Sequence, residues 1–195
     1  MSTQPLKLAV ITGSVREGRF GPVVTRWFAE QAAAHGGFEL DVIDLAEFSL
    51  PVEGPSVPPA MSPDVPRPEA MAGLTRRLGE ADAFAVVTPD YNRSFPASLK
   101  SAIDWHYAEW GAKAVGFVGY SGSTGGILAI EQLRQVFGEL DAHTVRAYVS
   151  FPRYYLLFDE DGALREPAGP EQSAKAMLDQ LAWWGGVLRD ARATR

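Results

Sequence analysis

Short apolar runs alternate along this chain with segments in which apolar residues recur at helical spacing. The first run, residues 6–12, ends at Gly13, and the later runs occupy residues 39–45, 83–88, 113–120 and 144–150. Runs that are apolar at nearly every position are typical of strands covered on both faces. Between and after the runs, the periodicity predicts helices at residues 21–34, 69–80, 96–108, 127–140 and 171–192.

Strands that alternate with helices in this way predict an α/β protein with a parallel sheet and helices on both faces. Five strands fit the flavodoxin-like order 2-1-3-4-5, a three-layer α/β/α sandwich. A chain of 195 residues suits a single domain of this kind, over residues 1–195. In such sheets ligands bind beyond the carboxyl ends of the strands, at the switch point between strands 1 and 3. We therefore expect the loops after strands 1, 3 and 4 to carry the function.

Residues 51–68 interrupt the alternation. Seven of the 14 prolines fall within these 18 residues, a density that excludes a helix or a strand. The patterned segments on either side are too close together for separate domains. Long loops inside compact domains are usually lids, binding loops or disordered pieces. We predict an active-site loop here, with a linker or a disordered piece as the alternatives.

Charge and composition disfavour several classes of function. The net charge is −6, from 18 basic and 24 acidic residues, and no run of Lys and Arg exceeds two, so no nucleic-acid partner is expected. No apolar run approaches the roughly 20 residues of a membrane span, and the first residues lack the apolar core of a secretory signal. A cytoplasmic protein is predicted. With no Cys and three widely spaced His, thiol chemistry is excluded and no metal site is predicted.

The loop after the first strand, called loop one (residues 13–22), combines three glycines with Ser14 and two arginines. It matches neither the GxGxxG fingerprint nor the P-loop pattern. It leads into the start of a helix, where unpaired N–H groups and the positive end of the dipole favour an anion. Ser14 can donate its hydroxyl and Arg16 a planar charged fork. Loop one is predicted to bind one phosphate monoester, the alternative being an ordinary turn with solvent-facing arginines.

Two further loops follow the third and fourth strands. Loop two (residues 88–96) has prolines near both ends and offers the ring of Tyr91 and the amide of Asn92. Loop three (residues 119–126) contains four glycines, which would let its backbone approach a flat ligand closely. The alternative for loop two is a rigid turn. The alternatives for loop three are a flexible surface loop and a second phosphate-binding loop. One phosphate site beside two loops that suit a planar polar ring indicates a mononucleotide. A dinucleotide would need a second phosphate position and a ribose-binding acid after strand 2; Asp44 stands there, but the glycine fingerprint that should accompany it is absent.

These loops resemble those of the NAD(P)H-dependent FMN reductase family of flavodoxin-like proteins, which includes quinone, azo-dye and chromate reductases. The resemblance runs from about Leu6 to Val149 and depends on residues 13–20, on residues 89–96 with 99–105, and on residues 121–126. It implies FMN as the cofactor, NAD(P)H as the hydride donor, and a homodimer or homotetramer. It also implies a set of FMN-binding residues: Ser14, Arg16, Arg19, Phe20, Gly21, Pro22, Val23, Pro89, Asp90, Tyr91, Asn92, Arg93, Ser121, Gly122, Ser123, Gly125 and Gly126.

Some residues depart from the family pattern. Loop one of the family often reads Gly-Ser-x-Arg-x-x-Ser-x-Asn, whereas Arg19 and Gly21 stand here at the Ser and Asn positions. The usual phosphate contacts of that hydroxyl and amide are therefore lost, and the charge of Arg19 is expected to compensate. Asp90 stands where Glu is more frequent.

The resemblance implies a mechanism that needs no catalytic side chain. NAD(P)H passes a hydride to N5 of FMN, and a quinone, azo, nitro or free flavin acceptor then takes the electrons at the same place by ping-pong kinetics. We expect His106 to be packed or on the surface rather than catalytic. The alternatives are a flavodoxin-like electron carrier that does not itself oxidise nicotinamide, and a non-flavin α/β protein that binds a phosphate ester.

Overall fold

Five parallel strands form a sheet in the order β2-β1-β3-β4-β5 in this computed structural model, which describes residues 4–62 and 65–194. The strands are β1 (Leu6–Thr12), β2 (Phe38–Asp44), β3 (Ala83–Pro89), β4 (Ala114–Ser121) and β5 (His143–Pro152). The helices are α1 (Gly21–His35), α2 (Ala72–Glu80), α3 (Ala97–Asp104), α4 (Ile127–Glu139), α5 (Tyr154–Leu157) and α6 (Ala168–Arg192). The predicted fold class and strand order are confirmed.

Apolar side chains cover both faces of the sheet, which explains the continuous apolar runs. Along β1, Leu8 and Val10 belong to the core under α1 and α6, whereas Ala9 and Ile11 belong to the core under α2, α3 and α4. Every residue of the central strand β3 is buried. Successive side chains of a strand point to opposite faces, so only a strand covered by helices on both sides tolerates such a run.

Several element boundaries differ from the predicted ones. The α3 helix ends at Asp104 rather than near residue 108, and Arg67 Nε donates a hydrogen bond of 2.9 Å to the carbonyl oxygen of Trp105 just beyond it. The last helix begins at Ala168 rather than at residue 171, because Pro170 falls in its first turn, where a missing N–H costs nothing. The residues between β5 and this helix were expected to be irregular but include the single turn α5.

The proline-rich segment contains no helix or strand between residues 51 and 62 or between residues 65 and 68, as predicted. Residues 63 and 64 of the predicted loop, and the ends 1–3 and 195 of the predicted domain, lie outside the described residues. One arm of the segment is attached to α3 and the other to the residues that follow it. The carbonyl oxygen of Pro51 accepts a hydrogen bond of 2.6 Å from Ser101 Oγ, and Arg67 forms a 3.0 Å ion pair with Glu109. That the segment acts as an active-site loop stays a prediction.

Candidate functional site

Loop one, loop two and loop three lie side by side at the carboxyl edge of the sheet. The hydroxyl groups of Ser14 and Tyr91 are 2.6 Å apart and join loop one to loop two. The carboxylate of Asp90 accepts a hydrogen bond from Thr124 Oγ1 and joins loop two to loop three. The three loops therefore form one continuous surface at the switch point, as predicted from their order in the chain.

Loop one begins in a fixed position and then leaves its backbone donors unpaired. The N–H of Gly13 donates to the carbonyl oxygen of Val87 at 2.9 Å, and Ser98 Oγ donates to the carbonyl oxygen of Gly13 at 2.7 Å. Beyond Gly13, the N–H groups of residues 14–18, 20 and 21 form no hydrogen bond within the described part of the chain. These donors precede the 15-residue helix α1, whose first residue has no side-chain cap. Such a row of donors suits an anion.

The two arginines of loop one have different roles. Arg16 is exposed, and its guanidinium lies 5.8 Å from the centre of the Tyr91 ring. Arg19 forms an ion pair with Asp44 at the end of β2, and that it compensates for the missing family residues stays a prediction. Its Nε is buried and has no hydrogen-bond partner among the described residues. A phosphate monoester would supply acceptors for this orphaned donor and for the backbone N–H groups, and the residues of loop one therefore fit that group.

The other predicted residues of this segment shape the start of α1. The ring of Phe20 lies 4.7 Å from that of Tyr154 and belongs to an aromatic cluster. Pro22 is exposed, and the N–H of Val23 donates to the carbonyl oxygen of Phe20 at 3.1 Å. Gly21 is buried against β4. Of the four residues 20–23, only Phe20 and Gly21 keep a backbone donor available for a ligand within the described part of the chain.

Loop two contains a tight turn with two strained residues. Tyr91 and Ser94 exchange backbone hydrogen bonds of 2.7 and 3.0 Å, and the two residues between them, Asn92 and Arg93, have φ values of 51° and 70°. This is the arrangement of a type I′ turn, which normally selects glycine. Gln132 of α4 holds the turn: its amide donates to the carbonyl oxygen of Arg93 and accepts from Ser94 Oγ, both at 2.7 Å.

The strain in this turn leaves donors exposed. Within the described residues, the N–H groups of Asn92 and Arg93 form no hydrogen bond, and both residues are exposed. Pro89, by contrast, is buried at the end of β3. Strained backbone that is held in place by neighbouring groups is frequent at ligand sites, because it fixes donors before the ligand arrives.

The side chain of Asp90 is committed to the protein itself. Besides Thr124, its carboxylate accepts a hydrogen bond of 2.8 Å from the N–H of Ala129 in the first turn of α4. A carboxylate at this position satisfies an unpaired donor and interacts favourably with the helix dipole. The side chain of Asp90 thus positions loop two against loop three, and its predicted contact with the cofactor stays a prediction.

The glycines of loop three serve the loop's own packing. Gly125 and Gly126 have φ values of 69° and 87°, and a Cβ on Gly126 would lie 2.4 Å from the Cα of Gly119. The N–H of Gly125 donates to Ser121 Oγ at 2.7 Å. Both glycines are buried within the loop, and the predicted close approach of their backbone to a flat ligand stays a prediction. The exposed residues of loop three are Gly122 and Ser123.

Three residues at this edge are absent from the individually named FMN-binding residues that the resemblance implied: Tyr120, Thr124 and Gln132. Thr124 and Gln132 contact loop two through their side chains, which only the folding of α4 against that loop brings together. Tyr120 lies in loop three at the end of β4, and its hydroxyl lies beside Gly21 at the start of α1. Its position at the carboxyl end of a central strand is the sequence feature from which a place at the ligand site could have been predicted.

His106 is enclosed within the protein, and that the site needs no acid–base side chain stays a prediction. His106 is buried, as expected: its Nδ1–H donates to the carbonyl oxygen of Ala102 at 2.7 Å, and Nε2 accepts from Thr75 Oγ1 at 2.9 Å. Burial lowers the pKa of His106, which keeps the ring neutral.

In the described part of the chain, no group of three or more acidic or His side chains is arranged to hold a metal ion. Nor does any described helix have the length and apolar character of a membrane span.

Comparisons with known proteins agree on the family. A family model described as NADPH-dependent FMN reductase matches residues 6–155. A NAD(P)H-dependent FMN reductase of Schizosaccharomyces pombe is 37% identical over 134 residues, which are 69% of this chain but only 66% of that protein, just under two thirds of its length. A 2-hydroxy-1,4-benzoquinone reductase of a Burkholderia species is 31% identical over 161 residues, 80% of each chain.

A solved structure supports the fold. FerB, a flavoenzyme NAD(P)H:(acceptor) oxidoreductase from Paracoccus denitrificans, superimposes with a TM-score of 0.72 at 21% identity and covers 93% of this chain and 97% of its own. The predicted flavodoxin-like architecture and the predicted flavin reductase relationship are thus both confirmed. From the match over residues 6–155 and the identity to curated relatives, this chain belongs to the NADPH-dependent FMN reductase family.

Proposed function

We propose that this protein is a NAD(P)H-dependent oxidoreductase that binds FMN across loops one, two and three. The observation that carries the proposal is the row of unpaired N–H donors in residues 14–18, 20 and 21, which precedes α1 beside the exposed guanidinium of Arg16. A single such row matches the single phosphate of a mononucleotide. Family membership supplies the identity of the nucleotide.

Each loop has a separate part in holding FMN. Ser14, Arg16 and the donors before α1 would bind the phosphate. The free N–H groups of Asn92 and Arg93 would line the isoalloxazine ring, with the exposed residues Gly122 and Ser123 at its pyrimidine edge. When bound, FMN supplies a ring that takes two electrons from NAD(P)H and gives them to an acceptor. The chain's contribution is to bind and orient it and to present N–H dipoles where negative charge develops.

The acceptor class and the kinetic order belong to the same proposal. Relatives include a 2-hydroxy-1,4-benzoquinone reductase and quinone reductases, which supports a small acceptor such as a quinone, an azo or nitro compound, or free flavin. If the nicotinamide and the acceptor use one exposed face in turn, steady-state kinetics will be ping-pong. A homodimer or homotetramer and a cytoplasmic location stay predictions.

A flavin titration tests the proposal. We expect purified protein to change the absorbance and fluorescence of added FMN and to oxidise NADH or NADPH only when flavin is present. Direct nicotinamide oxidation separates a reductase from a flavodoxin-like carrier. Unchanged flavin spectra at micromolar protein would reject FMN binding and favour a non-flavin phosphate-ester protein.

A single substitution tests the phosphate assignment. Arg16→Ala removes the exposed guanidinium beside the donor row and should weaken FMN binding about tenfold, the effect of losing one hydrogen bond to a charged group. Binding of riboflavin, which lacks the phosphate, should not change. Arg76→Ala on α2 removes another exposed arginine far from the three loops and serves as the control. Equal FMN affinity in Arg16→Ala and Arg76→Ala would contradict the assignment.

A further inference from the structure

The first residue of α1 is Gly21, and the hydroxyl of Tyr120 on β4 lies where a side chain at this position would be. A Cβ at position 21 would lie 3.0 Å from Tyr120 Oη and 3.0 Å from Thr12 Cγ2. No larger residue fits at position 21 without displacing that hydroxyl. The absence of a side chain on Gly21 therefore brings the Tyr120 hydroxyl directly beside the unpaired N–H of the helix start.

Tyr120 is buried, but its hydroxyl is not satisfied by the protein. Only 3% of the residue is exposed, and its ring packs edge-on against Tyr154 at 5.5 Å and lies 6.5 Å from Phe20. Among the described residues this hydroxyl forms no hydrogen bond, and it is not among their enclosed polar atoms, so a ligand can reach it. An unpartnered, accessible hydroxyl beside a helix start is placed to donate a hydrogen bond to a ligand bound there.

The charges around Tyr120 define the chemistry of that ligand. Burial raises the pKa of Tyr120 well above its ordinary value, so the hydroxyl stays protonated and able to donate; Arg16 and Arg19 oppose this rise only in part. Around the start of α1, the N–H of Gly21, the orphaned Nε of Arg19 and the guanidinium of Arg16 can donate to a ligand, and the carboxylate of Asp44 is already paired with Arg19. A group with several acceptor oxygens and a negative charge satisfies them all, whereas a neutral hydroxyl or amide does not.

We propose that Tyr120 is a phosphate-binding residue, whose hydroxyl donates a hydrogen bond to the phosphate of FMN at the start of α1. The inference rests on the proposed FMN function and deepens it. In this chain the contact that a polar side chain at position 21 would make comes instead from the neighbouring strand β4. The glycine and the tyrosine therefore act together, and the site distinguishes FMN from the uncharged flavin riboflavin.

The test compares FMN and riboflavin binding in wild type and Tyr120→Phe. Phenylalanine keeps the ring packing and removes only the hydroxyl, so the variant should fold. We expect the Kd for FMN to rise about 10- to 100-fold, as for the loss of a hydrogen bond to a charged acceptor, while the Kd for riboflavin changes less than twofold. Tyr154→Phe removes a hydroxyl from the adjacent ring and should leave both constants unchanged.

Two outcomes would overturn the inference. Unchanged FMN affinity in Tyr120→Phe, or equal losses for FMN and riboflavin, would assign the tyrosine to core packing alone. A second measurement uses the wild-type protein alone. In NMR spectra, the 13Cζ resonance of Tyr120 should shift on addition of FMN and much less on addition of riboflavin; equal shifts would refute the contact. If wild-type protein binds neither flavin, the proposed function itself fails, which the wild-type titration alone reveals.

Discussion

Asp90 should stabilise this fold more than any exposed acidic residue, because it joins two loops and caps a helix. Its carboxylate accepts hydrogen bonds from Thr124 Oγ1 and from the N–H of Ala129 in α4. Asp90→Ala leaves the N–H of Ala129 without an acceptor in a half-buried place and leaves Thr124 Oγ1 only its 3.1 Å contact with Ser121 Oγ. Asp90→Asn keeps one acceptor oxygen and removes the charge, so it separates the geometric from the electrostatic contribution.

The size of the effect follows from these contacts. A hydrogen bond to a charged group contributes about 1.5–3 kcal/mol, and a carboxylate at a helix N-terminus adds about 0.3–1 kcal/mol. Because the site is only half-buried, the lower values apply, and Asp90→Ala should cost about 3 kcal/mol. For a chain of this size that corresponds to a fall in Tm of about 6–12 °C. Asp90→Asn should cost about half as much.

Urea unfolding of the flavin-free protein measures the effect without a contribution from ligand binding. Asp104→Ala is the matched control, since Asp104 is exposed on α3 and, among the described residues, pairs only with Lys100; it should cost less than about 0.5 kcal/mol. A double-mutant cycle with Thr124→Val should give a coupling of about 1 kcal/mol or more. If Asp90→Ala and Asp104→Ala were equally mild, or if the coupling were zero, the positioning role assigned to Asp90 would be wrong.

Two further predictions concern stability. Gly126→Ala places a Cβ 2.4 Å from the Cα of Gly119 and should lower the free energy of unfolding in urea by more than about 3 kcal/mol. Gly122→Ala, whose Cβ would have nothing within 4 Å, should stay within about 0.5 kcal/mol of wild type. Similar losses of stability in both variants would contradict the packing argument. Burial lowers the pKa of Lys113 to about 8, below its unfolded value of about 10.4, so between these pH values the unfolded chain binds the extra proton and stability rises with pH. Lys113→Met should flatten this rise in urea midpoints measured at pH 8 and pH 10, and an unchanged slope would show that other groups produce it.

Much of the fold could be read from local patterns. The runs that became β1 and β3 are apolar at nearly every position, and their order with the helices between them restricts the topology to very few parallel sheets. Those patterns are local because strand and helix periodicity depend on neighbours along the chain. The same order placed loops one, two and three at one edge of the sheet, which was enough to find the site.

Only the tertiary structure decided what individual side chains do there. Asp90 turned toward α4, Arg19 toward Asp44, and the hydroxyl of Tyr120 toward Gly21, each through a contact between residues 25 or more positions apart in the chain. Hydrogen bonds and close packing depend on distances of a few tenths of an ångström between such segments, and no sequence periodicity encodes them. The sequence by itself determined the sheet, its order and the loops at its carboxyl edge, whereas the packing of α1 and α4 on that edge decided which polar groups remain free for a ligand.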